Sequence, residues 1–173
     1  MSTRNASEAP LAAATVERRR LPRKRVLLSG VVTDANGQNA IDCAIRDLSS
    51  RGAQVTLPKA MERGTELYLV DTRNEVAHLA TVAWCNAGQT GLSFVRSYSL
   101  DLTLPPPLEF LGKLLIEAKL RQVRALMKRG VPMDEATRVV GVTENYLERF
   151  IELGRNDGKV TLLLHQARRL LSG

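Results

Sequence analysis

Two short polar stretches near the start of the chain carry residue types suited to binding an anionic ligand. The first, ERRRLPRKR at residues 17–25, places six basic side chains and one acidic side chain within nine residues. The second, DLSSRG at residues 47–52, combines a carboxylate, hydroxyls and a glycine. The first stretch offers donors and positive charge, whereas the second offers an acceptor at a turn.

Within these stretches, spacing and side-chain chemistry favour a guanine nucleotide. Arg19 and Arg23 are four residues apart, and their guanidinium forks can bind phosphate oxygens or the O6 and N7 acceptors of guanine. Asp47 can accept from the N1–H and exocyclic amine of guanine, which an arginine cannot do. Ser49 adds a hydroxyl, and Gly52 permits backbone conformations or a close approach that a Cβ would obstruct. A guanine nucleotide with more than one phosphate matches both stretches.

Each stretch alone has a simpler interpretation. A run of arginines is often a solvated surface or a nonspecific patch for nucleic acid. A DxSxxG sequence alone is typical of a plain β-turn. The charge distribution favours an anionic partner met by the flanks of the chain, since residues 1–30 have a net charge of +5, residues 31–107 of −2 and residues 108–173 of +4.

Six segments after the arginine run have the composition of strands. They are rich in Val, Leu, Thr and Ala, and Gly, Asp, Asn and Pro separate them, with a turn expected at Asn36-Gly37. The segments are RVLLSGVVT, AIDCAIRDL, GAQVTL, TELYLV, EVAHLATVAW and TGLSFV. Because no helical pattern intervenes, they predict an antiparallel barrel or sandwich.

Three prolines mark a boundary near residues 104–107, because proline cannot join a β-ladder or a helix interior. Beyond them the apolar residues recur with a helical period, and about four helices are expected. Their sequences are EFLGKLLIEAKLRQVRALMKRG, MDEATRVV, TENYLERFIEL and KVTLLLHQARRLL. Gly130 should stop the first helix, Pro132 should lie in the first turn of the second, and Gly141 should end it. The first helix should have one broad apolar face, with its Lys and Arg residues elsewhere.

These boundaries divide the chain into three parts. Residues 1–16 lack a sustained period and are expected to be a disordered arm. Residues 17–104 should form the β-barrel, and residues 105–173 a helical module. The predicted class is therefore β + α.

The order and spacing of the two polar stretches resemble the PilZ domain family of bacterial cyclic di-GMP receptors. The matching residues are RxxxR at Arg19 and Arg23, a spacer of twenty-three residues, and DxSxxG at Asp47, Ser49 and Gly52. The segment TVAWCNAGQTGLSFV also resembles the late hairpin of that family, which ends in Gly-x-x-Phe. The resemblance covers about residues 17–100 and implies a six-stranded antiparallel barrel.

The resemblance also implies a role for each motif residue. Arg19 and Arg23 would hold phosphates and guanine acceptor edges from a mobile arm. Asp47 and Ser49 would bind guanine from the barrel surface, and Gly52 would keep the turn in shape. Arg18 directly precedes the RxxxR motif, where an arginine in this family tends to accompany a stacked ligand dimer, although Arg20 offers a competing register for accessory contacts. The implied function is a noncatalytic receptor that clamps cyclic di-GMP and signals through its helical tail.

The helical tail offers an alternative function, a cyclic di-GMP-responsive transcription regulator with a helix-turn-helix. The turn would be Gly141-Val142, with Ala136 and Val140 before it and apolar residues after it. The residues facing a DNA groove would be Thr143, Glu144, Asn145, Tyr146 and Arg149.

Acidic residues in the same helix argue against DNA. Glu144, Glu148 and Glu152 make the second helix of that unit a poor match for phosphates. A protein partner or self-association through the tail is the other expectation, and simple packing of the tail is a third.

Other chemistry finds little support in the sequence. No nucleophile set, paired carboxylates or phosphate-binding loop is present, so we expect no enzyme. Cys43 and Cys85 lack metal-ligand spacing and are expected to be buried, reduced thiols, with no metal bound. Trp84 is interpreted as a packing residue at the barrel edge. No segment has the length of a membrane span, so we expect a cytoplasmic protein without membrane insertion.

Overall fold

Six strands form a closed antiparallel barrel in the order β1-β2-β3-β6-β5-β4. The computed structural model describes residues 24–100 (with side chains from Leu28) and 104–142, together with positions 165 and 169. The strands are β1 Lys24–Thr33, β2 Ile41–Ser49, β3 Gly52–Thr56, β4 Glu66–Asp71, β5 Val76–Asn86 and β6 Gln89–Ser99. This architecture confirms the predicted six-stranded antiparallel barrel.

The barrel interior is an aliphatic core built from alternate residues of every strand. Alternation follows from the pleat, which turns successive side chains to opposite faces. The interior residues are Val32, Cys43, Ile45, Ala53, Val55, Leu57, Leu67, Leu69, Ala80, Val82 and Leu92. Burial raises the pKa of the Cys43 thiol to about 12, so this cysteine is a packing residue. Cys85 is only half-buried, which corrects the expectation that both thiols are buried.

The turn between β1 and β2 is fixed by Asp34. Its carboxylate accepts the backbone N–H groups of Asn36 at 3.1 Å and Gln38 at 2.9 Å and the side-chain amide of Asn39 at 2.8 Å. These hydrogen bonds lower the pKa of Asp34 below its usual range. Gly37 takes a φ of +74°, which confirms the turn predicted at this position.

Two α-helices and a short 3-10 helix follow the barrel in the described part of the chain. The 3-10 helix spans Pro106–Leu108, α1 spans Glu109–Lys128, and α2 spans Met133–Val140. The helices predicted from TENYLERFIEL and KVTLLLHQARRLL lie outside the described residues, apart from positions 165 and 169. None of the helices described is long and apolar enough to cross a membrane.

Helix boundaries follow the sequence signals with small shifts. Helix α1 ends two residues before Gly130, and Gly141 ends α2 as expected, with a φ of +75°. Pro132 is the N-cap of α2 instead of a first-turn residue. Its lack of an N–H costs nothing there, because the first N–H groups of a helix have no intrahelical partner.

Helix α1 packs on the outer face of the barrel and forms a second core. This core joins Val31, Tyr68, Val70 and Ala77 of the barrel to the apolar face of α1 and to Ala136 and Val142. Strand β4 is consequently buried on both faces, because Leu67 and Leu69 point inward while Tyr68 and Val70 meet the helix side. Phe110, in the first turn of α1, packs against Tyr68 at a ring-centroid distance of 5.8 Å.

Lys119 corrects the expectation that the basic residues of α1 lie away from its buried face. This residue is 2% exposed, and its ammonium group contacts the Glu75 carboxylate at 2.5 Å. A buried lysine is tolerated only when its charge is paired. The pairing joins α1 to the turn between β4 and β5.

We predict that Leu115→Ala will lower the free energy of unfolding by about 2–5 kcal/mol, because it leaves a cavity in the core between α1 and the barrel. Chemical denaturation measures this loss. Met127→Ala on the same helix is the control, because Met127 is 37% exposed. Its truncation should lower the free energy of unfolding by less than about 1.5 kcal/mol. Equal losses for the two variants would contradict the packing of α1 described above.

Candidate ligand-binding site on the outer face of the barrel

The DLSSRG turn is a tight hairpin between β2 and β3. Ser49 and Gly52 are paired across it, and Ser50 and Arg51 form its exposed tip. The Ser49 hydroxyl donates to the Gly52 carbonyl oxygen at 3.1 Å and accepts from the Arg51 N–H at 3.4 Å. The Phe94 N–H donates to the Arg51 carbonyl at 2.8 Å, which ties the tip to β6. The turn is therefore held by strands on both sides.

Gly52 is required by the approach of β6. A Cβ at this position would collide with the carbonyl oxygen of Leu92 on the neighbouring strand, and that backbone atom cannot rotate away. The φ of Gly52 is not positive, so the backbone conformation of the turn does not itself require glycine at this position. The predicted role of this residue in shaping the turn thus has a specific cause, which is close contact between strands.

Asp47 is half-buried and lies on the outer face of β2. Its neighbour Leu48 packs against the interior core, and the pleat turns Asp47 the opposite way. The ladder continues from Asp47 to Gln54 on β3, Gly91 on β6 and Trp84 on β5. We call these four residues the outer row. A strip of surface that begins at the Asp47 carboxylate thus runs across the next three strands to Trp84.

Trp84 closes the far end of the outer row. Its indole lies over Gly91, where a Cβ would collide with the indole nitrogen. The tryptophan is still 38% exposed, so one part of the ring packs on the barrel while another part meets solvent. The packing role expected for Trp84 therefore accounts only for the part of the ring that lies over Gly91.

The register of β1 brings the chain from the arginine run to the DLSSRG turn. Lys24 pairs with Leu48, and Arg25 pairs with Asp47. A register shift follows between Arg25 and Leu28, which is a bulge next to the site. The backbone that leads into β1 therefore starts beside Asp47.

A histidine lies close to the same end of the barrel. The His78 ring stacks on Phe94 with a centroid distance of 4.0 Å and an interplanar angle of 2°, and its Nδ1 is 2.7 Å from the Ser97 hydroxyl. Burial lowers the pKa of His78, and the Asp71 charge opposes this only in part. Phe94 also donates its backbone N–H to the Arg51 carbonyl, so the residue that stacks on His78 is joined to the DLSSRG turn.

Comparison with protein families decides the identity of the fold. The family model of the PilZ domain matches residues 17–104, which is more than half of the 173-residue chain. The chain belongs to the PilZ domain family. PilZ domains are in general receptors for cyclic di-GMP, and the resemblance inferred from the two polar stretches is confirmed.

Solved structures similar to this PilZ protein include an inhibitor of motility (MotI/DgrA) of Bacillus subtilis, with 17% identity and a TM-score of 0.41 over 63% of this chain. The match spans 53% of the Bacillus chain, about half its length. A second is the PilZ domain of CeSA from a cellulose-synthesizing bacterium, with 18% identity, a TM-score of 0.38, and coverage of 56% of this chain and 94% of that one. No curated protein matches the chain.

The PilZ barrel brings together the predicted site residues that fall within its described part. Asp47, Ser49 and Gly52 lie on or beside the one hairpin. Other predicted residues lie outside the described residues: the arginines Arg18, Arg19 and Arg23 and the tail residues Thr143, Asn145, Tyr146 and Arg149. Within the described chain, no group of three or more potential metal ligands occurs.

Sequence reasoning did not identify Gln54 and Gly91 as parts of the site surface. Gln54 is placed beside Asp47 by strand pairing, and its side-chain amide donates to the Gln89 side-chain oxygen at 2.6 Å. The signal that could have found them is register, because Asp47 and Gln54 are equally spaced from the centre of the hairpin. Counting outward from the turn places the two side by side, since the bulge at Arg46 comes only after Asp47.

We predict that Gly52→Ala will destabilise the PilZ domain by about 1–3 kcal/mol, because the new methyl group meets the Leu92 carbonyl. Chemical denaturation is the measurement. Ser50→Ala, at the exposed tip of the same hairpin, is the matched control and should change stability by no more than about 0.5 kcal/mol. A Gly52→Ala variant as stable as Ser50→Ala would show that β6 does not constrain this position.

We predict that the stability contribution of His78 is lost on acidification. A folded-state pKa below the unfolded value of about 6.5 means that the unfolded chain binds the proton more tightly. The contribution is therefore complete above that pH and falls as the pH is lowered through it. Thermal melts between about pH 7.5 and 5 should show wild type losing stability relative to His78→Gln.

The matched control for this titration is His165→Gln, since His165 is exposed. That variant should follow the wild-type pH profile. If His78→Gln followed it as well, the burial and stacking of His78 would have no bearing on stability in this range.

Proposed function

We propose that this PilZ protein is a noncatalytic receptor that clamps cyclic di-GMP between its N-terminal arginine arm and the DLSSRG turn. The observation that carries the proposal is the pairing of Arg25 with Asp47, because the arginine arm is continuous with β1 at this point. Consecutive Cα atoms are about 3.8 Å apart, so Arg23 cannot be far from the start of β1. One ligand of dinucleotide size can meet both stretches.

Each motif residue has a proposed contact with the ligand. Asp47 accepts from the N1–H and exocyclic amine of one guanine, and the Ser49 oxygen can still accept one further hydrogen bond there. Arg19 and Arg23 hold the phosphates and the O6 and N7 edge in bidentate fashion. Arg18 adds a contact to a second, stacked ligand molecule. The outer row, with the partly exposed Trp84 ring at its end, supplies the neighbouring surface for a purine.

The energetics favour an arm that orders as the ligand binds. A close charge pair contributes about 4 kcal/mol at an effective dielectric near 20, before desolvation is subtracted. Fixing the backbone of the arm costs about 1–2 kcal/mol per residue. Because the two contributions are comparable, ligand binding can decide whether the arm is ordered, and that change is the signal.

The helical region after the barrel is proposed as the output. In this proposal residues 17–104 are the receptor unit and residues 105–173 the helical module that meets a protein partner or a second copy of the chain. Helix α1 supports this role, because it shares one hydrophobic core with the barrel and with α2. A change in the barrel can therefore reach the helices through direct contacts.

We predict that the PilZ protein binds cyclic di-GMP and that Arg23→Ala and Asp47→Ala each weaken binding by about 10- to 150-fold. The expected loss corresponds to about 1.5–3 kcal/mol for a hydrogen bond to a charged group. Isothermal titration calorimetry measures the affinity, with GMP and GTP as competing ligands that should bind far more weakly.

Arg63→Ala is the matched control. Arg63 is exposed in the loop after β3, at the end of that strand opposite to the DLSSRG turn, and its loss should leave the affinity unchanged. Wild-type affinity in both Arg23→Ala and Asp47→Ala would contradict the site assignment. Binding that is equal for cyclic di-GMP, GMP and GTP would instead indicate a nonspecific phosphate surface.

A further inference from the structure

Among the residues described, the first half of β1 has no neighbouring strand along the edge that faces the helices, and we call this its free edge. Strand β1 pairs with β4 only from Gly30 to Thr33, whereas its pairing with β2 begins at Lys24. Leu28 and Ser29 on the free edge form one wall of a groove of about 620 Å³. The opposite wall comes from the second half of α1 and the end of α2, including Leu126 and Val140. The strand that continues from the arginine arm thus lies across an open groove from the helices.

One chain of hydrogen bonds crosses this groove at Thr72. The Thr72 hydroxyl donates to the Ser29 carbonyl oxygen at 2.8 Å, and the Thr72 N–H approaches the same oxygen at 3.4 Å. The Gln122 side-chain amide of α1 then donates to the Thr72 hydroxyl oxygen at 2.9 Å. The free edge of β1 is in this way joined to the middle of α1 through a single buried hydroxyl.

A second chain of contacts starts three residues further along the same turn. The Glu75 carboxylate contacts the buried Lys119 ammonium at 2.5 Å, and that ammonium donates to the Gly141 carbonyl oxygen at 3.3 Å. Gly141 is the left-handed C-cap of α2. Lys119 therefore connects the turn to the end of α2, where the rest of the chain begins.

The turn that carries both connections, residues 72–75, is held in one shape. The Asp71 carboxylate is fully buried and accepts the N–H groups of Arg73 at 3.0 Å and Asn74 at 3.1 Å, as well as the Asn74 amide at 2.7 Å. Glu75 takes a φ of +54°, which is uncommon for a residue other than glycine and is maintained only where the surroundings impose it. These hydrogen bonds connect the residues of the turn to one another through Asp71.

We infer that residues 72–75 transmit ligand binding from the start of β1 to helix α2. This inference rests on the proposed function, since it concerns how the clamped state is passed on. In this inference the arm, once ordered by the ligand, acts on the start of β1, whose β4-side edge is joined to the turn only at Ser29 among the residues described. The turn then positions α1 through Thr72 and Gln122, and the cap of α2 through Glu75 and Lys119. Two sites are coupled when both act on the same structural element. Here the two sites are the start of β1 and the end of α2, and the element is the turn at residues 72–75.

The test is hydrogen exchange of residues 133–142 in the full chain, with and without saturating cyclic di-GMP. Calorimetry on each variant establishes the concentration needed for saturation. In wild type, exchange in α2 should change by about fivefold or more on binding, the lower end of ordinary coupling between sites. Thr72→Val removes the hydroxyl with little change in volume, and Lys119→Met removes the charge but keeps most of the buried side chain. Both variants should bind the ligand and lose the response in α2.

Arg121→Ala is the matched control. Arg121 lies on the same helix and bonds the Asp42 carboxylate of β2 at 2.7 Å, so its loss removes an exposed contact between helix and barrel but spares the turn. This variant should keep the wild-type response. The inference survives only if Thr72→Val abolishes the response, so a Lys119→Met variant that fails to fold leaves the test intact.

Two further outcomes separate the inference from the proposed function. Wild type that binds cyclic di-GMP without any change in α2, or a Thr72→Val variant that responds as wild type does, would overturn the transmission and leave the receptor function in place. Wild type that does not bind cyclic di-GMP would remove the receptor function and the transmission with it.

Discussion

The antiparallel pairing of β1 with β2 is the constraint on which the site depends. Lys24 and Arg25 lie opposite Leu48 and Asp47, so antiparallel pairing places the start of β1 beside the DLSSRG turn. A shift of one residue would turn Asp47 into the barrel and Leu48 out of it, since side chains alternate with period two. Because Leu48 packs against the interior core, the register that directs it inward also places Asp47 on the outer face. Core packing and the orientation of the proposed ligand-binding carboxylate are thus set by one pairing.

Close backbone contacts shape the rest of the site. Gly52 lets β6 approach within a distance that no Cβ allows, and Gly91 makes room for the indole of Trp84. These contacts pack the hairpin against β6 and the Trp84 ring against Gly91, which defines the surface on which the proposed arm would close. The cost of binding then falls on the arm, which is where a receptor gains a signal from its ligand.

The sequence was a good guide to the strands and to the two described helices, and a poorer one to the contacts between them. Alternation and turn residues identified six strands, Asn36-Gly37 marked a turn, and Gly141 marked the end of α2. Lys119 could not be placed, because its burial depends on Glu75, forty-four residues earlier in the chain. The same holds for Gln54 and Gly91, whose positions beside Asp47 follow from register across strands. Local pattern predicts elements, whereas contacts between distant residues depend on how those elements pair.

The most direct test of the central claim is an amide NMR titration of the full chain with cyclic di-GMP. The account predicts that the largest shift changes fall together on two segments, residues 17–25 and residues 47–54, and reach half-saturation at one ligand concentration. Shift changes on only one of these segments, or changes centred elsewhere on the barrel while both segments stay unaffected, would contradict the closing of arm and turn on a common ligand.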